Sequence, residues 1–451
     1  MTNIKKKNIK SLIVGLIALS ISFSTNSILI LLMLFYAYST FVIYCNRGGS
    51  LSDPRLLLVG FFTFYSTFYS IRVYLSGISI LEIDYDLIAL SLKYQFLGLV
   101  VFVVSLNATI SNRERLSLEK FSDSAWLTKK PTYNSEILIF FFLSLIVCLS
   151  LYFVFQSGST SKLEANQSNP IKSISDISFW TLTVIAIFRS VRLKNKFHYD
   201  PVLVFFIFLA SFYTLVTGER DIVFRVGFIA LLIHFDRRHT QILSDTRKAS
   251  SFAFTICLLI SIAVLVPISQ GFKAVLISES PGIQGFAFST IFSNEFLSAG
   301  RNFYSLLLYR VESDFSHIGT DILRAFLPSL LSDYFDIVST ASWFGSEFRV
   351  NNDFSGSSGW GFTLIGQGYL VGGIFGVFFI SLLYGLIIGS LYNQRVSSIY
   401  WYAFYLLAFT TSIYVIRADL ANLLSQIFKV GGFSVLILFV SHRFFVSLRK
   451  R

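Results

Sequence analysis

Apolar runs separated by short polar breaks recur along the whole chain. They fall at 11–23, 28–45, 56–75, 87–106, 137–155, 174–191, 201–217, 222–235, 250–268, 361–391, 399–416 and 420–441. As a helix, an apolar stretch of about 20 residues crosses the roughly 30 Å hydrocarbon layer of a bilayer. The pattern therefore predicts an all-α, polytopic integral membrane protein of about twelve transmembrane helices. One long stretch breaks it. Between Ser269 and Trp360 polarity rises, with Glu295, Arg301, Arg310, Glu312, Arg324, Glu347 and Arg349 among its charges. The chain divides into nine spans over 1–268, a large loop carrying surface helices over 269–360, and three spans over 361–451.

Composition rules out a soluble domain: 54% of the residues are hydrophobic, with 50 Phe and 22 Tyr. The net charge of +12 would suit nucleic acid, but its placement argues otherwise. With the N-terminus inside, alternate loops on the inner face hold 24 of the 37 Lys and Arg but only 8 of the 25 acids. Positive loops face the cytoplasm, so membrane orientation accounts for the charge. Both termini then lie inside and loop 269–360 outside, the topology of a multi-pass protein of a bacterial inner membrane. Lys5, Lys6, Lys7 and Lys10 precede an apolar run with no small-residue cleavage site, which reads as a retained first helix. Cys45, Cys148 and Cys257 sit in apolar runs with no CxxC, as core residues do.

Candidate chemistry lies in the outward polar positions. Thr217-Gly218-Glu219-Arg220-Asp221 joins two short apolar runs, so its charges sit near or below the outer membrane surface, where charge is costly and usually functional. Arg225, four residues after Asp221, either pairs with it or faces the same cavity. Arg417-Ala418-Asp419 repeats the design between the last two helices, and Lys429 stands about nine residues into the final one. In the long loop, Glu295, Arg301 and Arg310 share an aromatic-rich segment that reads as a helix lying against the membrane surface. Glu347 and Arg349 precede a Gly/Ser-rich stretch, 354–359. Glu82, Asp84 and Asp86 form an outward acidic cluster, more simply an acidic loop than a metal site. No P-loop, GxSxG, HExxH or CxxC occurs, and no metal or cofactor is expected.

Outward arginines without a metal suit an anionic, lipid-linked substrate. A guanidinium offers a planar fork of donors to a diphosphate. It also stabilises the charge that builds on a departing diphosphate, while a carboxylate activates the attacking hydroxyl. Glu295, then Glu347, are the candidate bases. Arg220, Arg225, Arg301, Arg310, Arg417, Asp419 and Lys429 are the candidate substrate-binding residues.

The chain resembles the Wzy-type O-antigen or capsular repeat-unit polymerases. The resemblance rests on Thr217-Gly218-Glu219-Arg220, on Gly366-Gln367-Gly368-Tyr369 leading to Gly372-Gly373-Ile374-Phe375-Gly376 after the long loop, and on Arg417 in the last outer turn. Position 367, often acidic in such segments, is Gln here, so no base is expected there. The resemblance implies a glycosyltransferase-C-like fold. It implies undecaprenyl-diphosphate-linked oligosaccharides as donor and acceptor on the periplasmic face, with a flippase and a chain-length regulator as associated partners. An O-antigen ligase or other lipid-linked glycosyltransferase is a related alternative. A flippase is an alternative of another class, disfavoured by the long loop and the lack of two similar halves.

Overall fold

The helix Pro54–Ser76 shows how local sequence sets the elements. The Asp53 carboxylate accepts from the Arg55 N–H, Pro54 occupies the first turn, and Gly77, at φ 63°, ends the helix with its N–H on the Val73 carbonyl. Proline at the start and left-handed glycine past the end are the expected signals. The computed structural model describes residues 2–46, 51–77, 79, 81–110, 130–157, 169–192, 200–217, 220–241, 288–327, 334–335, 337–352 and 362–448.

Every element among them is helical. In order they are α1 (Thr2–Ser24), α2 (Ile28–Asn46), α3 (Pro54–Ser76), α4 (Tyr85–Thr109), α5 (Lys130–Gln156), α6 (Lys172–Arg192), α7 (Pro201–Thr217), α8 (Arg220–Gln241), α9 (Phe288–Leu308) and α10 (Ser316–Phe326). Then come α11 (Thr340–Trp343, with a π turn Phe344–Phe348 and Arg349–Asn351), α12 (Leu364–Gln394), α13 (Ile399–Val415), α14 (Leu420–Ser425), a π-helical stretch Gln426–Gly432, and α15 (Phe433–Leu448). Seven helices among the described residues are long and apolar enough to cross a membrane, the mark of a polytopic membrane protein. They are α2, α3, α4, the Glu136–Gln156 part of α5, α6, α12 and Leu420–Phe444. The run at 250–268 lies outside the described residues. Helix α8 extends six residues past the expected run, through His234 and Asp236 to Gln241.

The chain forms two compact units. The first comprises 1–114, 291–393 and 411–429. In it α1 to α4 pack on one another, and α12 lies against α4 so closely that a Cβ on Gly385 would meet the Phe102 carbonyl at 2.8 Å. Phe62, Phe102 and Tyr384 stack in series, at centroid spacings of 5.7 and 4.7 Å.

Two features of this unit go beyond the expected pattern. Helix α9 is not peripheral to the packed helices. It docks on α3, with Gly300 so close that a Cβ there would stand 3.0 Å from that of Tyr69. Ser298, Asn302, Phe303, Tyr304 and Leu306 are buried with it. Small residues allow the approach, and the aromatics that suggested a surface helix fill the interface. Nor is α12 one straight span. Its backbone leaves the helical region at Gly372 and Gly373, the latter at φ 57°, ψ −133°. Residues 364–371 and 374–394 then meet so tightly that a Cβ on Gly368 would be 2.7 Å from the Val377 Cα. The left-handed φ and the close approach both call for glycine, so the glycine-rich segment is a broken, re-entrant helix.

The second unit comprises 115–290, 394–410 and 430–451. Here α5 packs on α6 and α7, and α15 packs on α5 and α6. Its interior holds a set of buried charges. Arg192 makes a bidentate pair with Glu136, at 2.9 and 2.8 Å. His442 Nε2 stands 3.6 Å from Glu136, and its Nδ1 is hydrogen-bonded to the Tyr400 hydroxyl at 2.7 Å. Arg189 donates twice to Asp200, at 2.9 and 2.7 Å, while the other Asp200 oxygen caps α7 through the Val202 N–H. The Tyr402 hydroxyl donates to Asp236. Arg189 and Arg192, counted above as inner-face charges, are thus buried partners as well.

Candidate functional site

In the first unit, Arg301 lies within electrostatic range of Arg72 and Arg349, and a fourth arginine, Arg417, lies within range of Tyr65 on α3. Arg72 belongs to α3 itself, Arg301 to α9, Arg349 to the end of α11, and Arg417 to the turn between α13 and α14. Arg301 acts electrostatically on Tyr69, and Arg417 acts on Tyr65 one turn earlier. Burial brings the Arg301 guanidinium down to about 10; Tyr69 opposes this, and the positive charges of Arg349 and Arg72 add to it. Arg301 remains cationic at neutral pH, within the field of two further guanidiniums. The Arg417 guanidinium lies over the Tyr414 ring, 4.8 Å from its centroid. Guanidiniums rimmed by tyrosines have the chemistry to hold an anion.

A second polar constellation in this unit joins four elements. The buried Asp321 carboxylate, on α10, accepts from the Thr340 N–H and hydroxyl at 2.8 Å each, and from the Gln367 amide. The Gln367 carbonyl oxygen accepts the Leu420 N–H at 2.8 Å. Asp419 caps α14 through the Asn422 N–H and side-chain amide. Unsatisfied N–H groups at the starts of α11 and α14 are thereby used. Arg324 donates to the Ile337 carbonyl, and Lys429 Nζ donates to the Arg324 carbonyl at 2.6 Å.

Burial first, and then the charge of Asp321, push the Asp419 carboxyl up to about 7; Asn422 and Arg324 pull it back less. A raised carboxyl holds its proton more tightly in the folded protein than in the unfolded chain. Its contribution to stability is therefore complete below about pH 4 and is lost as pH rises to about 7. Asp419→Asn keeps the cap and removes the titration. The melting temperature of the purified wild-type protein should fall between pH 5 and 7.5 relative to this variant. Parallel curves over that window would exclude the effect.

The candidate residues divide as follows. Arg301, Arg417, Asp419 and Lys429 belong to these two constellations. Lys429, on the π-helical stretch, meets the backbone carbonyl of Arg324 near the end of α10. Arg310 is exposed beyond α9, in the left-handed conformation at φ 50°. There it closes the helix through Arg310 N–H to Leu307 O and Val311 N–H to Leu306 O, a position glycine usually fills. It lines a shallow open groove of about 510 Å³ with Glu312, Tyr369, Leu87 and Leu90, and Arg301 is not among the lining residues. Glu347 is exposed on the π turn of α11. Glu295 lies on α9, but its side chain is outside the described residues, as are the Arg220 side chain, Gly218, Glu219 and the segment 354–359.

Arg225 belongs to the second unit. It pairs with Asp221 across one turn at 3.8 Å, as the spacing suggested, and also lies 5.1 Å over the Trp180 ring. The acidic cluster has a structural use: Asp84 caps α4 through the Asp86 and Leu87 N–H groups. The Tyr304 hydroxyl ties the same loop to α9, donating to Glu82 O at 2.6 Å and accepting the Asp84 N–H at 2.8 Å. No protein-family model, curated protein or solved structure matches this chain.

Proposed function

We propose that this protein is a polysaccharide polymerase, joining undecaprenyl-diphosphate-linked oligosaccharide repeat units on the periplasmic face of a bacterial inner membrane into O-antigen or capsular polymer. In this reading the chain crosses the membrane about twelve times, with both termini in the cytoplasm, on a glycosyltransferase-C-like plan. The observation that carries it is the convergence of Arg72, Arg301 and Arg349 about Tyr69, with Arg417 beside Tyr65, in a helical membrane protein.

The donor's diphosphate sits among these guanidiniums. The bond between its anomeric carbon and the diphosphate oxygen breaks, and the electron pair leaves with the diphosphate. The acceptor hydroxyl forms the new glycosidic bond, and its proton passes to a loop carboxylate, Glu295 or Glu347. Fixed guanidiniums favour this step because the leaving group gains charge as it departs.

Deletion followed by a gel of surface polysaccharide tests the reading. A ladder reduced to a single repeat is the expected result. Loss of all repeats, with lipid-linked polymer still accumulating, would identify a ligase. An unchanged ladder would exclude both.

A further inference from the structure

Helix α10 is amphipathic in the inverted sense. Its inward side carries Asp321, bound to Thr340 and Gln367, and Arg324, half-buried and bound to the Ile337 carbonyl. Its outward side carries Ile322, Leu323 and Phe326, each about half exposed, and Phe315 stands open just before its first residue. A helix on a water-facing loop has the opposite arrangement, with its charges outside.

Its neighbours set the depth. The Phe326 ring packs on Phe428, at a centroid distance of 4.8 Å, and Lys429 Nζ reaches the Arg324 carbonyl. Phe428 is itself half-exposed and belongs to the candidate span Leu420–Phe444. Eight residues of helix place Phe428 about 12 Å along that span, well within a layer roughly 30 Å thick. The apolar side of α10 thus continues the outer side of a membrane-crossing helix. Eleven residues make α10 about 16 Å long, too short to cross. Beside it, residues 364–371 of α12 also turn back at Gly372–Gly373.

We propose that α10 is a re-entrant helix immersed in the leaflet at the Leu420 end of that span, with Phe315, Ile322, Leu323 and Phe326 against lipid hydrocarbon. The Asp321–Gln367–Leu420 network then lies below the membrane surface, screened from lipid by α10. Non-helical backbone and polar side chains persist at that depth only when covered by protein, and α10 provides the cover. This inference is independent of the polymerase reading.

Spin labels test it. Ile322→Cys and Leu323→Cys are made in full-length protein with Cys45, Cys148 and Cys257 changed to Ser, and reconstituted in phosphatidylcholine nanodiscs. Collision rates with oxygen and with a water-soluble nickel chelate are compared with Phe141→Cys on α5 and Ser346→Cys on α11. Both labels should behave like Phe141→Cys, favouring oxygen several-fold over nickel. Nickel access like that of Ser346→Cys would place the face in water and overturn the proposal. Exclusion of both reagents would mean that protein covers the face, and would also overturn it. Unsubstituted protein gives a second measurement: a hydrocarbon-soluble diazirine should label the peptide spanning 315–326 as it labels α5. Labelling of α5 alone would exclude lipid contact.

Discussion

Arg301→Ala is expected to abolish surface polymer while the protein stays at its normal level in the membrane. Arg301 is held on α9 where that helix docks closely on α3, in the joint field of Arg72 and Arg349. If a diphosphate departs there, removing one fixed donor costs about 10²–10³ in turnover, enough to empty the upper rungs of a ladder. Arg301→Lys restores charge without the bidentate fork and should recover short chains only. Arg417→Ala should behave like Arg301→Ala. Gel analysis of surface polysaccharide, with an immunoblot of the membrane fraction, reads the result. Full-length ladders from both alanine variants at normal protein level would exclude these arginines from the reaction.

Glu136→Ala is expected to give the largest loss of stability. Glu136 is fully buried, takes both forks of Arg192, and has His442 beside it. Removing one member of a buried pair strands the other charge, at a cost of about 3–5 kcal/mol. The double variant Glu136→Leu/Arg192→Met leaves no charge stranded and should recover most of the loss. Thermal unfolding in detergent, followed by tryptophan fluorescence, compares the three proteins. If the double variant melts no higher than Glu136→Ala, the site depends on more than this pair.

The spanning helices were legible because hydrocarbon imposes a simple rule on the chain. The runs at 28–45, 56–75 and 87–106 became α2, α3 and α4, lengthened by a residue or a few at their ends by caps such as Asp53 and Asp84. The re-entrant segment was not legible. Residues 361–391 read as one long apolar run, and only the backbone angle at Gly373 shows where the helix turns back. Arg301 and Arg417 were identifiable as charges set among apolar residues. The proximity of Arg301 to Arg72 and Arg349, and of Arg417 to Tyr65, was not, since nothing in the local pattern relates α3 to α9 or to the turn between α13 and α14. Asp321 was missed for a different reason. In Asp321-Ile322-Leu323-Arg324-Ala325-Phe326 the charges look like the wet face of a short helix, and the inversion emerges only when Gln367 and Thr340 are seen to occupy the carboxylate. Glu136 and Arg192 entered only through the count of inner-face charge, which reports orientation and is silent about pairing with each other or with His442.

The make-up of the first unit also governs how the protein is made. Arg72 lies on α3 and Arg417 acts on Tyr65 of the same helix, yet they come from opposite ends of the chain, in segments 1–114 and 411–429 of the same unit. At about 5–20 residues per second, a ribosome needs on the order of tens of seconds to travel from one to the other. Until α9 is made, about two-thirds of the way through that interval, α3 sits in the membrane with the face that will receive Gly300 still unfilled. The arginine cluster closes only as the final span emerges, so its full set of guanidiniums comes together when synthesis is almost finished.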